Sequence, residues 1–131
     1  MTYIQTWDNE TKTILRQTFS GTWSMDEYHH SVDLIAETLK DQPQVVHVII
    51  DMTNTIAAPH NLLSGARYAE KKLHGKLKGI NIFVGPNVLV RSTIELARKL
   101  GLRVAQNTYT TVTLEEAYQR IASLEDSMQK L

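Results

Sequence analysis

Cysteine is absent from the 131 residues, which excludes disulfides, thiolate metal sites and cysteine nucleophiles. Long apolar runs are absent too: nowhere do about 18 apolar residues follow one another. The start, Met1 to Lys12, has neither the basic region nor the apolar stretch of a signal peptide. The sequence therefore predicts a soluble, cytoplasmic protein with no membrane span. Glycine-rich phosphate cradles are missing, since no G-x-G-x-x-G or G-x-x-x-x-G-K-[ST] occurs and Gly85-Pro86-Asn87 is a lone turn. Ser64-Gly65 lacks the preceding glycine of a nucleophile elbow. No linker, repeat or low-complexity tract divides the chain, so residues 1–131 are read as one domain with a core over roughly 2–125, a size that buries roughly two thirds of the surface of the unfolded chain.

Net charge is also zero, with 14 Lys and Arg against 14 Asp and Glu, but the balance is a cancellation of unlike parts. Residues 1–63 hold three cations and eight acids, residues 64–105 nine cations and two acids, and the remainder two cations and four acids. The middle is basic between acidic flanks.

What is present is periodic. Tyr3–Trp7 and Thr13–Phe19 are rich in β-branched and aromatic residues around the turn residues Asp8 to Lys12, which predicts an antiparallel hairpin. Ser24 and Glu27 stand at capping-box spacing and start a helix at Met25. Its apolar face is Tyr28, Val32, Ile35, Ala36 and Leu39. Val45–Ile50 is too short for a helix and too evenly apolar for a sheet with one wet face, so it is read as a central parallel strand. Leu62, Ala66, Ala69 and Leu73 mark a second helix ending at Gly75, then Ile80–Val84 a strand. Val90, Ile94, Ala97 and Leu100 mark a third helix ending at Gly101. A short strand is expected at Arg103–Ala105, with the following QNTYTTV extending it or forming a loop. Thr113 and Glu116 repeat the capping-box spacing before a last helix whose apolar face is Leu114, Ala117, Tyr118, Ile121 and Leu124. The order β-β-α-β-α-β-α-β-α predicts an α/β fold with a mixed, mostly parallel sheet.

Chemistry would be looked for after the central strand, because ligands of open α/β sheets sit beyond the carboxyl ends of parallel strands, near helix N-termini. Residues 51–61 are read as that loop. Asp51 is a candidate base, Thr53 and Thr55 candidate nucleophiles and His60 a candidate general base, though no spacing forces two of them together. The plainer reading is that Asp51 and Thr53 tie down the turn while His60 or Asn61 serves the next helix start. No histidine pair has metal-ligand spacing: His29 and His30 point about 100 degrees apart on a helix, and His47, His60 and His74 are scattered. No metal and no cofactor are predicted. The basic segment RYAEKKLHGKLK reads first as a solvated face, next as a surface for an acidic protein partner and last as a nucleic-acid surface, because the pI is near neutral and only Tyr68 could stack on a base. Opposite charges on one chain also allow two copies to pair.

Thr18-Phe19-Ser20-Gly21, Val48-Ile49-Ile50-Asp51-Met52-Thr53 and Thr113-Leu114-Glu115-Glu116-Ala117, in this element order, resemble the STAS domain, the fold of bacterial anti-sigma factor antagonists and of sulphate-transporter tails, in its SpoIIAA-like branch. The resemblance implies a non-enzymatic regulatory or protein-binding module whose partner surface is the 51–61 loop and the helix after it. In the phospho-regulated members an Asp-Ser-Ser-Gly phrase follows the third strand. Here that place is Ala57-Ala58-Pro59-His60-Asn61-Leu62, and the phosphosite does not carry over; Thr53, Thr55 and Ser64 are the nearest hydroxyls. The partner- or ligand-binding candidates are Asp51, Thr53, Asn54, Thr55, His60, Asn61, Arg67, Lys71 and Lys72. Two alternatives stand beside this reading. One is a carrier of a small apolar, lipid-like ligand held among Trp7, Trp23, Phe83 and the methionines; the other is an enzyme using Asp51 with His60 or Thr53.

Overall fold

The computed structural model describes residues 2–129. The elements run β1 (Tyr3–Trp7), β2 (Ile14–Thr22), α1 (Met25–Lys40), β3 (His47–Ala57), α2 (Leu62–Leu73), β4 (Asn81–Val84), α3 (Val88–Lys99), α4 (Arg103–Gln106), β5 (Thr108–Thr111) and α5 (Leu114–Gln129). The five strands form one sheet in sequence order. β1 is antiparallel to β2, and β2 through β5 are parallel. This is the expected mixed, mostly parallel α/β architecture.

Side chains along a strand point alternately to its two faces, and each face has its own core. Leu15, Phe19, Val48, Ile50, Met52 and Phe83 pack with the apolar faces of α1, α2 and α3. Ile49, Ile82 and Val84 pack with Ala117 and Ile121 of α5. β3 is thus apolar on both sides over Val48–Ile50, as a covered central strand must be. Tyr3, Phe19, Trp23 and Tyr28 form an aromatic group with neighbouring centroids 5.3 to 6.5 Å apart. Phe19, fully buried at its centre, anchors the hairpin to α1. Toward β1 the α5 face of the sheet is open, and Ile4 is 66% exposed there.

Both capping expectations hold in part or whole. Ser24 and Glu27 close a complete capping box at the start of α1. At α5, Thr113 Oγ1 accepts from the Glu116 N–H at 3.2 Å, but the Glu116 carboxylate reaches back to the N–H of Val112 rather than to that of Thr113. Gly75 and Gly101 take the left-handed backbone expected after α2 and α3 (φ 81 and 80).

Four expectations are corrected. The second strand runs to Thr22 instead of ending at Phe19, and β3 continues to Ala57, so residues 51–57 are strand and only 58–61 connect to α2. The two extensions pair with each other, Ser20 with Asn54, Gly21 with Thr55 and Thr22 with Ala57, through two register shifts that each place one extra residue in β3. Bulges of that kind let a polar stretch stay in a sheet without strict alternation. The expected strand at Arg103–Ala105 is the short helix α4, and the strand begins five residues later, at Thr108–Thr111, within the segment read as its extension or a loop. The cause is tertiary: the Glu70 carboxylate of α2 accepts the backbone N–H groups of Arg103 and Val104, two of the free donors of a helix start. Leu100, expected on the buried stripe of α3, is 50% exposed.

Candidate functional site

Asp51 leaves the central strand on the α5 side, in line with Ile49. Its Oδ1 accepts from the Thr53 N–H at 3.0 Å and from the Thr53 hydroxyl at 2.7 Å, so the plainer reading of this pair is what the structure contains. Thr53 in turn meets the turn after β4: Gly85 has φ 62, and a Cβ there would lie 2.9 Å from Thr53 Oγ1. Thr55, past the first bulge, points to the other side and accepts from the indole N–H of Trp23 at 3.2 Å. Asn54 is exposed opposite Ser20. His60 is exposed, and Asn61 is the N-cap of α2 but makes no side-chain capping bond.

The candidates therefore fall into two groups. Asp51 and Thr53 lie on the sheet face covered by α5, whereas Thr55, His60, Asn61 and the α2 cations belong to the face covered by α1 to α3. No hydrogen bond joins Asp51 or Thr53 to His60, so the base and nucleophile pairs considered from sequence are not assembled.

On α2, Arg67 and Lys71 are exposed and make no ion pair or side-chain hydrogen bond among the described residues. Lys72 is different: its Nζ lies 3.8 Å from Asp33 Oδ1 of α1 and 5.6 Å from the centre of the Tyr68 ring. Tyr68 donates its hydroxyl to the same Asp33 oxygen at 2.7 Å and stacks on His29 at 3.9 Å. The bond to Asp33, with lesser contributions from burial and from the Asp33 charge, raises the Tyr68 hydroxyl above its ordinary pKa. Asp33 is thus engaged by Tyr68 and Lys72, and Oε1 of Glu70 by the start of α4. Arg67, Lys71 and the following Lys76 and Lys78 remain as exposed positive charge.

A second polar group lies on the open side of the sheet. Asp8 receives the Tyr118 hydroxyl and stands 3.2 Å from Arg16 Nε. Burial first, then the bond to Asp8, push Tyr118 up to about 12. Sequence reading missed this group because Tyr118 lies 110 residues from Asp8. It also missed the fully buried Gln17, for which a signal existed: Gln17 stands between Leu15 and Phe19 in the inward alternation of β2. No group of three or more His, Asp or Glu that could hold a metal ion occurs among the described residues, nor any helix long and apolar enough to cross a membrane.

Between the sheet and α2, α3 and α4 is an apolar cavity of about 60 Å³, lined among others by Trp23, Met52, Phe83, Ala69, Ala97 and Asn81. Trp23 and Phe83 line it as expected; Trp7 does not. It is smaller than the cavity of ~150 Å³ that takes up benzene, so a lipid chain does not fit it as it stands.

No protein-family model matches the chain, and no curated protein matches it. Solved structures do. The anti-sigma factor antagonist SpoIIAA, in its unphosphorylated form, is 11% identical with a TM-score of 0.59, covering 91% of this chain and 98% of that one. An uncharacterised DUF3478-family protein from Shewanella loihica, described as having a SpoIIAA-like fold, is 15% identical with a TM-score of 0.61, covering 91% of this chain and 93% of its own. At such identities the likeness establishes architecture, and the architecture agrees over nearly the whole length of both chains: the fold is STAS-type, SpoIIAA-like.

Proposed function

We propose that this chain is a non-enzymatic regulatory module that binds an acidic protein partner through the exposed face of α2, the 58–61 connection and the adjoining end of β3. The observation that carries this reading is the unpaired charge on α2. Arg67 and Lys71 face solvent with no acid paired to them among the described residues, while Asp33 is engaged by Tyr68 and Lys72 and Oε1 of Glu70 by the start of α4. Opposite charge on a partner would steer its approach and fix its register. The partner class also agrees with the SpoIIAA likeness, since that protein is an anti-sigma factor antagonist.

Regulation by phosphorylation at the usual place has no acceptor, because Pro59, His60 and Asn61 occupy the entry to α2. Ser64, exposed in the first turn of α2, and Thr53, bonded to Asp51, are the hydroxyls nearest to it. The carboxylate and hydroxyl groups considered for catalysis are spent on each other. Capture from lysate of the native host with the tagged chain, compared with Arg67→Glu/Lys71→Glu and with a Lys12→Glu control on the far hairpin turn, tests the reading. One protein should be lost with the double variant and kept with the control; equal recovery with all three contradicts it.

A further inference from the structure

A strand at the margin of a sheet bonds with half of its backbone and offers the other half, and the two margins of this sheet differ. On β5 the ladder to β4 uses Asn107, Tyr109 and Thr111, because the Asn81 N–H donates to the Asn107 carbonyl and the Gly85 N–H to the Thr111 carbonyl. Thr108, Thr110 and Val112 are left turned outward. The Thr108 carbonyl accepts from Arg98 Nη2 at 2.6 Å, and the Val112 N–H donates to Glu116 Oε2 at 3.4 Å. Side chains of α3 and α5 thus occupy the β5 margin on both sides of Thr110.

β1 has no such cover. The Ser20 N–H donates to the Thr2 carbonyl at 2.8 Å and the Asp8 N–H to the Ile14 carbonyl at 2.9 Å, so Thr2, Ile4, Thr6 and Asp8 bond toward β2. Tyr3, Gln5 and Trp7 therefore turn their N–H and C=O groups to the open side, where none has a hydrogen bond among the described residues. The strand reads Tyr-Ile-Gln-Thr-Trp and pairs with β2 without a register shift. It has no proline, charge or bulge, the devices that keep an edge from pairing. Apolar surface flanks it on both sides: Ile4 is 66% exposed below the margin and Leu34 of α1 is 39% exposed above it. Leu34 is placed by its neighbours, since Glu27 accepts from the Thr2 hydroxyl and Thr38 accepts from the Gln5 amide at 3.0 Å. Seven residues after the one and four before the other, Leu34 shares their side of the helix.

We propose that the β1 margin binds a second copy of this chain, β1 against β1 and antiparallel, about a two-fold axis that passes beside Gln5 perpendicular to the sheet. Gln5 then faces Gln5 of the second copy and Tyr3 faces its Trp7, each pair exchanging both backbone bonds, about six in all. No charged residue lies within the paired strands, so no like charges are opposed. A second copy fits where a lone peptide strand does not. The axis keeps both helical layers on one side of the joined sheet, so the two Leu34 side chains approach above the seam while the two Ile4 side chains lie diagonally across it below. A bare strand would leave Leu34 uncovered. The occupied β5 margin disfavours addition of β1 to β5 head to tail, so the assembly closes at two. This seam is separate from the exposed face of α2 and does not rest on the partner reading.

Sedimentation equilibrium of the full chain from about 10 μM to about 1 mM should pass from monomer to dimer, with a dissociation constant on the order of 100 μM, as suits a small interface. Over the same range, hydrogen exchange should slow with concentration at the amides of Tyr3, Gln5 and Trp7. It should not change at Ile4 and Thr6, which are bonded to β2 in the single copy. Ile4→Lys and Leu34→Glu alter exposed side chains and leave the β1–β2 ladder in place; each should weaken the dimer at least about tenfold. A chain still monomeric at about 1 mM, a dimer without concentration-dependent protection at Tyr3, Gln5 and Trp7, or a dimer indifferent to either substitution would overturn the inference. So would a dimer lost with Arg67→Glu/Lys71→Glu and kept with Ile4→Lys, which would put the seam on the charged helices.

Discussion

At Gly79 the chain has no room for any side chain: a Cβ would stand 2.4 Å from the Val46 carbonyl oxygen and 2.6 Å from His47 Nδ1. The approach is close because the N–H of the next residue, Ile80, donates to that same Nδ1 at 3.0 Å, pinning the start of β4 to β3. Gly79→Ala must push backbone apart in the core and is expected to cost about 1–3 kcal/mol or more, read from the urea midpoint. His47 itself is buried, and since Nδ1 accepts, the proton of the neutral ring sits on Nε2, facing Glu125 Oε1 at 3.6 Å. Burial lowers its pKa, and the Glu125 charge opposes this less strongly. A base whose folded pKa is depressed stabilises the fold fully above its ordinary pKa of about 6.5, and loses that contribution as pH falls below it, where only the unfolded chain takes up the proton. His47→Asn keeps an acceptor for Ile80. Stability of the native chain should therefore decline from pH 7 to pH 5 more steeply than that of the variant, in urea titrations at each pH. Parallel slopes would show that His47 does not carry the dependence. The histidine itself was visible in the sequence as a polar residue inside an apolar strand, but its acceptor role was not, because its partner lies 33 residues away.

Elements were legible where their signals are local. The Ser24–Glu27 box, the apolar stripe of α1, the glycines after α2 and α3 and the apolar run of β3 each act within a few residues, and each was read correctly. The misreadings occur where distant parts decide. β3 outruns its apolar run because β2 supplies a matching extension and because Trp23, just after β2, donates to Thr55 of β3. α4 is a helix of four residues with no side-chain cap of its own, started by Glu70 from across the fold. Removing that carboxylate by Glu70→Ala should cost about 0.5–2 kcal/mol, as loss of a helix cap does. It should also speed amide exchange at Arg103 and Val104 more than at Ala69. An unchanged exchange rate at those two amides would mean that α4 forms without the cap. The candidate site fared in the same way. The residues were named, but the division of Asp51 and Thr53 from His60 and α2 depends on which face each strand position takes after a bulge, and sequence does not mark the bulge.

On the scale of the whole molecule, the charge segregation seen in the sequence becomes a polarity of the helical layer. α1 carries Asp26, Glu27, Asp33 and Glu37, while α2 and its exit carry Arg67, Lys71, Lys72, Lys76 and Lys78. The two helices pack side by side, so Asp33 meets Tyr68 and Lys72 along their seam and the rest of the charge faces outward. Surface pairs such as Lys72–Asp33 contribute little to stability, about 0–1 kcal/mol. Reversing Arg67 and Lys71, which pair with no acid among the described residues, should accordingly leave the fold intact. The polarity contributes little to folding. The most direct test is the affinity of the captured partner for the native chain and for Arg67→Glu/Lys71→Glu, measured by calorimetry at low and at physiological salt. The native affinity should fall as salt screens the charges, and the double variant should bind at least about tenfold more weakly with a flatter salt dependence. An affinity unchanged by the reversal, with the same response to salt, would contradict recognition through α2.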